Sequence, residues 1–262
     1  GLEALEIPSG VTSIGDYAFQ DCGTLTELAV PLSVSSMGTY AFSGCTALTT
    51  CNIPDGVPNI PAYLFRNCSA LESITIPESV SSIGDYAFDH CSALEEILIP
   101  DSVLTIGAYA FRGCSGLTSV VVPESVTSIG TAPFGACSGL TSITVPFVGG
   151  SVKTSTDTYQ YPFGYLFGTS SYTGGTGVSQ AYYGSGTTST TTATFYIPAS
   201  LTSVTVTGGN LLYGAFKNCS MLTSIIIPGN ITGIGSYAFS GCSGLKAITI
   251  ADTVSTIDSY AF

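Results

Sequence analysis

Nine cysteines, one histidine and a set of regularly placed carboxylates are the groups in this 262-residue sequence whose chemistry has to be settled first. Cys22, Cys45, Cys68, Cys91, Cys114 and Cys137 are each 23 residues apart, as are Cys219 and Cys242, and only Cys51 is out of step. A ladder of this kind could carry disulfides or a metal. Equivalent residues of stacked units, however, have parallel Cβ vectors about 4.8 Å apart, whereas a disulfide needs Cβ atoms about 3.8 Å apart and turned toward each other. Zinc needs four converging ligands, and a linear ladder with His90 as the single histidine does not supply them. The expectation is free, buried thiols, with Cys51 a small apolar residue in the slot that Ile74 fills one unit later.

Catalysis is disfavoured by inventory, and no cofactor is implied. Every Ser-His-Asp or Cys-His set would have to use His90, which sits in a turn beside Asp89. Asp89 falls between Arg66 and Arg112 at equivalent positions of neighbouring units, and reads as a surface ion ladder of small stabilising value with a solvated His90. The remaining acids fall in turns. Four of them, Asp55, Glu78, Asp101 and Glu124, recur just after a proline in successive units. Pro, an acid and then Ser or Gly is good turn chemistry; the sharper reading is a carboxylate rim that collects calcium or meets a basic partner.

The elements that must position these groups follow from the period. Units begin at Leu2, Leu25, Leu48, Leu71, Leu94, Leu117 and Leu140, and the register resumes at Leu201, Leu222 and Leu245. Alternating pairs such as Ile74 and Ile76 mark a short strand with one face buried, ended by a proline. A second extended piece through Val80 and Ile83 follows, then a helical or 3-10 turn at Tyr86-Ala87-Phe88, with Gly84 at the corner. One unit is too small to fold alone, so the units must stack through a parallel sheet, giving a curved rod on the order of 50 Å long. Charge bounds the partners. With a formal net charge of −12 and five Lys and Arg, the chain lacks the basic patch that nucleic acid or an anionic membrane requires.

The repeated phrase, as in IPESVTSIGTAPFGACSGLTSITVP, resembles the BspA-like leucine-rich repeats of bacterial cell-surface proteins, and the likeness covers nearly the whole chain. Its core pattern is matched closely in the units at Leu2, Leu71, Leu94 and Leu222. Departures are Pro61 in place of the Gly, Pro133 in place of the Ala, and a short unit at Leu201. The resemblance implies a right-handed, curved leucine-rich-repeat solenoid of 23-residue units, each a short parallel β-strand plus a turn or 3-10 helix. It further implies a secreted or cell-wall-attached protein that adheres to host matrix proteins, host cells or other microbes, with no catalytic residues to carry over. The expected state is a monomer with no membrane insertion. The sequence reads as a piece of a longer array, without a signal peptide or sorting tail.

Two surfaces are candidates for contact. The exposed sheet face, read from the register, includes Thr75, Leu98, Val121 and Thr144, and Leu98 beside Val121 is its one adjacent apolar pair. The second lies where the repeat breaks down. Residues 1–146 are expected to be regular repeats, 147–200 an expanded repeat or insertion rich in Gly, Ser, Thr and Tyr, and 201–262 repeats continuing the same solenoid. Within the middle stretch Tyr165-Leu166-Phe167 matches Tyr63-Leu64-Phe65, so Phe163 and Phe167 are expected in the core. Tyr159, Tyr161, Tyr172, Tyr182 and Tyr183 are expected on loops. Tyr among Ser and Gly supplies rigid aromatic area beside adaptable polar groups, a chemistry suited to protein or sugar surfaces. Protein adhesion, a glycan-binding module at the tyrosines, and a structural spacer are the function classes left open.

Overall fold

The computed structural model describes residues 1–152, 161–183, 190–227 and 229–262. They form a parallel β-solenoid of about ten turns about 23 residues apart, with almost no helix. On its first side the strands Ser119–Val121, Ser142–Val145, Ser203–Val206 and Ser224–Ile226 pair in parallel, with Ile143 opposite Val120 and Val204. Glu27–Leu28 and Thr50–Cys51 form the same side nearer the start of the chain. On the second side Asn59–Ile60, Ser82–Ile83, Thr105–Ile106 and Ser128–Ile129 form another parallel sheet, each with its serine, threonine or asparagine outward and its isoleucine buried. Alternation sets the inward face, and the period sets the register.

The third side is a hydrogen-bonded corner, and among the described residues a 3-10 helix forms only at Phe163–Leu166. In a regular corner two kinds of backbone bond alternate. Ala87 and Asp89 N–H groups donate back to the carbonyls of Gly84 and Tyr86, while Tyr86, Phe88 and His90 N–H groups donate to the Ala108, Ala110 and Arg112 carbonyls of the next unit respectively, the Phe88 bond to Ala110 being 2.7 Å. Turning the N–H groups outward requires left-handed backbone. Tyr17, Tyr40, Tyr63, Tyr86 and Tyr109 all have φ between 55° and 62°, and so do Asn67 and His90 four residues further on. A left-handed non-glycine residue costs roughly 1–2 kcal/mol. The outward bonds and the stacking of each tyrosine on the next, at centroid distances of 4.3–4.9 Å, offset it.

Inside, Phe19, Phe42, Phe65, Phe88, Phe111 and Phe134 stack at 5.3–5.7 Å. The cysteines are free, as expected, and all but half-buried Cys22 are buried. Each thiol does a specific job: Cys68, Cys91, Cys114 and Cys137 donate at 3.1–3.2 Å to the carbonyl of the phenylalanine one unit before. Burial pushes Cys51 and Cys137 up to about 12, so these thiols are poor nucleophiles. Hydroxyls explain the wealth of Ser and Thr, since Ser79, Ser102 and Ser125 each donate to a backbone carbonyl of the preceding unit at 2.7–2.9 Å. The corner glycine marks close approach: a Cβ on Gly107 would lie 2.5 Å from the backbone nitrogen of Asp85.

The stack is interrupted once. Strand Ser142–Val145 passes its register directly to Ser203–Val206, so the intervening chain leaves the first side and returns to it. On the second side Ser128 pairs antiparallel with Ser151, and Ile129 N–H donates to Gly150. On the third, Ala132 and Phe134 donate to Tyr165 and Leu166. Phe163, Leu166 and Phe167 are buried. Two phenylalanines share the column's place: Phe134 N–H donates to Leu166 as Phe42 N–H does to Leu64, which sets Phe167 toward the preceding unit, while the Phe163 ring meets Phe216 at 4.9 Å and its N–H donates to Ala215. The chain then forms an antiparallel hairpin of Gly175–Tyr183 and Thr190–Pro198. Tyr182 and Tyr183 therefore lie in a strand and not on a loop. Gln180, fully buried, closes the gap in the backbone network by accepting from Gly164 N–H at 2.8 Å and donating to Lys217 carbonyl at 2.8 Å.

Candidate functional site

The proline-following carboxylates Asp55, Glu78, Asp101 and Glu124 are all exposed. Among the described residues no three His, Cys, Asp or Glu side chains converge as a metal site would require. The column presents separate charges to solvent.

The first-side sheet carries the predicted contact strip. Leu98 bridges Val121, and Val121 lies opposite Thr144, which lies opposite Thr205. Leu98 is 77% and Val121 57% exposed, while Thr75 is exposed and Thr144 half-buried. Asn52, further down the strip, is committed to the backbone of Val30 through two bonds of 2.7 and 2.8 Å. One feature of this face is absent from the sequence reading. Glu72, Glu95 and Glu96 border an open depression of about 960 Å³ floored by Ser73, Ser92 and Ser119. Glu96 and Leu98 are two residues apart in the same extended segment and so share a face. The depression and the apolar pair form one surface, acidic at one side and greasy at the other.

The tyrosines of the expanded unit are less free than expected. Tyr161 stacks on Tyr165 at 4.1 Å and meets Tyr182 at 5.9 Å, and Tyr182 meets Phe195 edge-on at 6.2 Å. Tyr172 is half-buried, with its ring over Gly175. Burial raises its phenol well above the usual range. Tyr159 lies outside the described residues.

The Asp89 ladder differs most from expectation. Asp89 is not a surface ion but fully buried. Its Oδ1 accepts from Arg112 Nε at 2.7 Å and from His90 Nδ1 at 2.8 Å; its Oδ2 accepts from Arg112 Nη2 at 3.0 Å and Arg66 Nε at 3.3 Å. The stack itself buries the carboxylate, because the equivalent positions one unit to either side carry the arginines that close over it. The Asp89 carboxylate raises the Arg112 guanidinium further above its ordinary value. Arg112 is also held over the rings of Tyr86 and Tyr109 at 5.3 Å from each. His90 remains half exposed on its outer side.

These surfaces sit on a repeat scaffold of stacked parallel turns, the class of leucine-rich-repeat solenoids. The model of the BspA type leucine rich repeat region matches in six copies over residues 1–117, 81–158 and 210–262, and the chain belongs to that family. Among solved structures it is similar to a leucine rich cell surface protein from Faecalibacterium prausnitzii, with 28% identity and a TM-score of 0.50 over 97% of this chain and 68% of that one. It is also similar to a leucine-rich repeat protein from Eubacterium ventriosum, at 21% identity and a TM-score of 0.42, covering 97% of this chain and 80% of that one. The pneumococcal vaccine antigen PcpA matches at 17% identity and a TM-score of 0.45, over 94% of this chain and 59% of that one. No curated protein matches the chain. No helix among the described residues is long and apolar enough to cross a membrane.

Proposed function

We propose that this chain is a non-catalytic binding module, extracellular or attached to a cell wall, that makes protein–protein contact with host matrix, a host cell or another microbial surface. In this reading 1–146, 147–200 and 201–262 are parts of one continuous domain. The observation that carries it is the joint surface of Leu98 and Val121 with the depression bordered by Glu72, Glu95 and Glu96. An exposed apolar centre with charge to one side suits a partner with an apolar anchor and a basic flank. The cell-surface designation of the Faecalibacterium protein supports the location.

The test is binding of the chain to an array of matrix proteins, repeated with Leu98→Lys and Val121→Lys together. Binding that falls with salt and is lost in the double variant supports the reading. Binding indifferent to both would overturn it, and silence from the unaltered chain would favour a spacer.

A second reading, glycan binding at the expanded unit, is favoured by the cluster of Tyr161, Tyr165 and Tyr182. Replacing 150–193 by a linker is not a clean test of it, because that stretch gives Phe163, Phe167 and Gln180 to the interior. Tyr161→Ala and Tyr182→Ala are the sharper probes.

A further inference from the structure

The exposed tyrosine column breaks at one place, and the break is lined. Tyr17 to Tyr109 stack without a gap, but the next unit carries Ala132 at the tyrosine position, with the same left-handed backbone, φ 51°. That unit also carries Gly135 where its predecessors have Arg66, Asp89 and Arg112. Two large side chains are thereby missing from one spot, and the returning segment Phe167–Tyr172 walls the space without filling it. A cavity of about 260 Å³ results, with Arg112, His90 and Tyr109 on one wall and Tyr172 on the other.

Its electrostatics are opposite to those of the molecule. In a chain of net charge −12 with five Lys and Arg, two of the arginines and the one histidine gather around a single buried carboxylate. Arg112 lines the cavity while Arg66 and Asp89 do not, so the formal charge at its wall is positive. Arg112 spends Nε and Nη2 on Asp89, so three of its five N–H donors remain. Its plane is fixed by that pair and by the flanking tyrosine rings, which removes most of the ordering cost of gripping an anion. His90 spends Nδ1 on Asp89 and keeps Nε2. Across the space, Tyr172 offers its ring as a wall, while its hydroxyl is turned away from the cavity into the interior beside Cys137. Thr169, Ser170 and Ser171 add exposed hydroxyls at the rim.

We propose that this gap binds the carboxylate of a single acidic sugar ring, with Arg112 taking the carboxylate, His90, Ser170 and Ser171 taking ring hydroxyls, and Tyr109 and Tyr172 offering aromatic walls. A cavity below the roughly 300–1,000 Å³ of drug-sized sites holds one ring and not a chain. The rim hydroxyls and aromatic walls favour a sugar over a bare inorganic anion. The proposal rests on the glycan reading above and gives it a site and a ligand class.

The test is equilibrium binding of glucuronic acid, N-acetylneuraminic acid and glucose to the unaltered chain, to the double variant Ser170→Ala with Ser171→Ala, and to Arg112→Lys. The serine variant removes two exposed rim hydroxyls, so its melting temperature should stay level. The acidic sugars should saturate and compete with each other, with glucose about tenfold or more weaker, since a hydrogen bond to a charged group is at stake. Both variants should weaken the acidic sugars several-fold, and the ratio of the two acids identifies which kind the site prefers. Equal binding of acidic and neutral sugars, or full affinity in Arg112→Lys, overturns the proposal. If sugars bind without regard to charge and binding is lost in Tyr161→Ala, the glycan reading stands while this site falls. If no sugar saturates, both fall.

Discussion

The regular units from Leu2 to Gly139 and the expanded unit from Leu140 to Ser200 solve the same problem by different means. In the regular stretch alternate N–H groups on the third side are answered by carbonyls 22 residues on, and the same thiol-to-carbonyl bond recurs at Cys68, Cys91, Cys114 and Cys137. In the expanded unit repetition is unavailable. A single side chain, Gln180, supplies the bonds that a whole neighbouring turn supplies elsewhere, and Phe163 re-enters the phenylalanine column to pass the core on to Phe216. The difference shows where each region is vulnerable. Regular units spread their stability over many equivalent contacts, whereas the expanded unit concentrates it in a few that have no copies.

The largest expected effect separates the two by pH. The raised thiols lie in the regular units and after the interruption, and the expanded unit contains no cysteine. A thiol whose folded pKa is raised keeps its proton when the unfolded chain has lost it. Stability is therefore fully present below about pH 9 and lost as pH rises toward the folded values. Cys51 and Cys137, at about 12 against an ordinary 9.0, each contribute a loss approaching about 1.4 kcal/mol per pH unit across that window. The solenoid should melt steeply between pH 9 and 11, by thermal unfolding at intervals of half a unit, and a Cys137→Ala variant should show a shallower slope. An equal slope in the variant would remove the thiols as the cause. Next in size is Gln180→Leu. It strands the Gly164 N–H and the Lys217 carbonyl, each at about 1–3 kcal/mol, so urea unfolding should show a loss of about 2–6 kcal/mol. A loss under 1 kcal/mol would mean that the expanded unit does not depend on this one bridge.

Much of the scaffold was legible because a 23-residue pattern, read once, fixes the inward face, the strand ends and the free thiols in every unit. What could not be read was anything decided by two units at once. Asp89 looks like a surface charge within its own turn, and only the arginines 23 residues to either side bury it. The signal was present, since Arg66, Asp89 and Arg112 alternate in sign at one unit position, but no single-unit argument weighs it. The groove beside Glu72, Glu95 and Glu96 was missed for the same reason. In the expanded unit the match of Tyr165-Leu166-Phe167 to Tyr63-Leu64-Phe65 holds toward the preceding unit, where Phe134 donates to Leu166 as Phe42 does to Leu64, and both Phe163 and Phe167 are buried as expected. Toward the following unit it is Tyr161-Pro162-Phe163, which parallels Ala132-Pro133-Phe134, that sets the ladder. Nothing in the sequence marks Tyr172, whose ring matters only because the chain folds back against the gap left at Ala132 and Gly135 in the unit before.

The smallest effect tests whether the regular corner is held by its rings or by its backbone. Tyr63 stacks on Tyr40 at 4.3 Å and on Tyr86 at 4.9 Å, and has φ 62°. Removing the ring forfeits two stacks worth about 0.5–1.5 kcal/mol each. Asparagine tolerates left-handed backbone and returns part of that loss, so Tyr63→Asn should destabilise by about 1 kcal/mol. Tyr63→Val loses the same stacks and adds a β-branched residue at positive φ, a further cost of about 1–2 kcal/mol. Urea unfolding of the two variants should therefore place valine clearly below asparagine. If they unfold together, the left-handed corner relaxes when its ring is gone, and stacking rather than the bond from Tyr63 N–H to Asp85 is what holds the chain in that conformation.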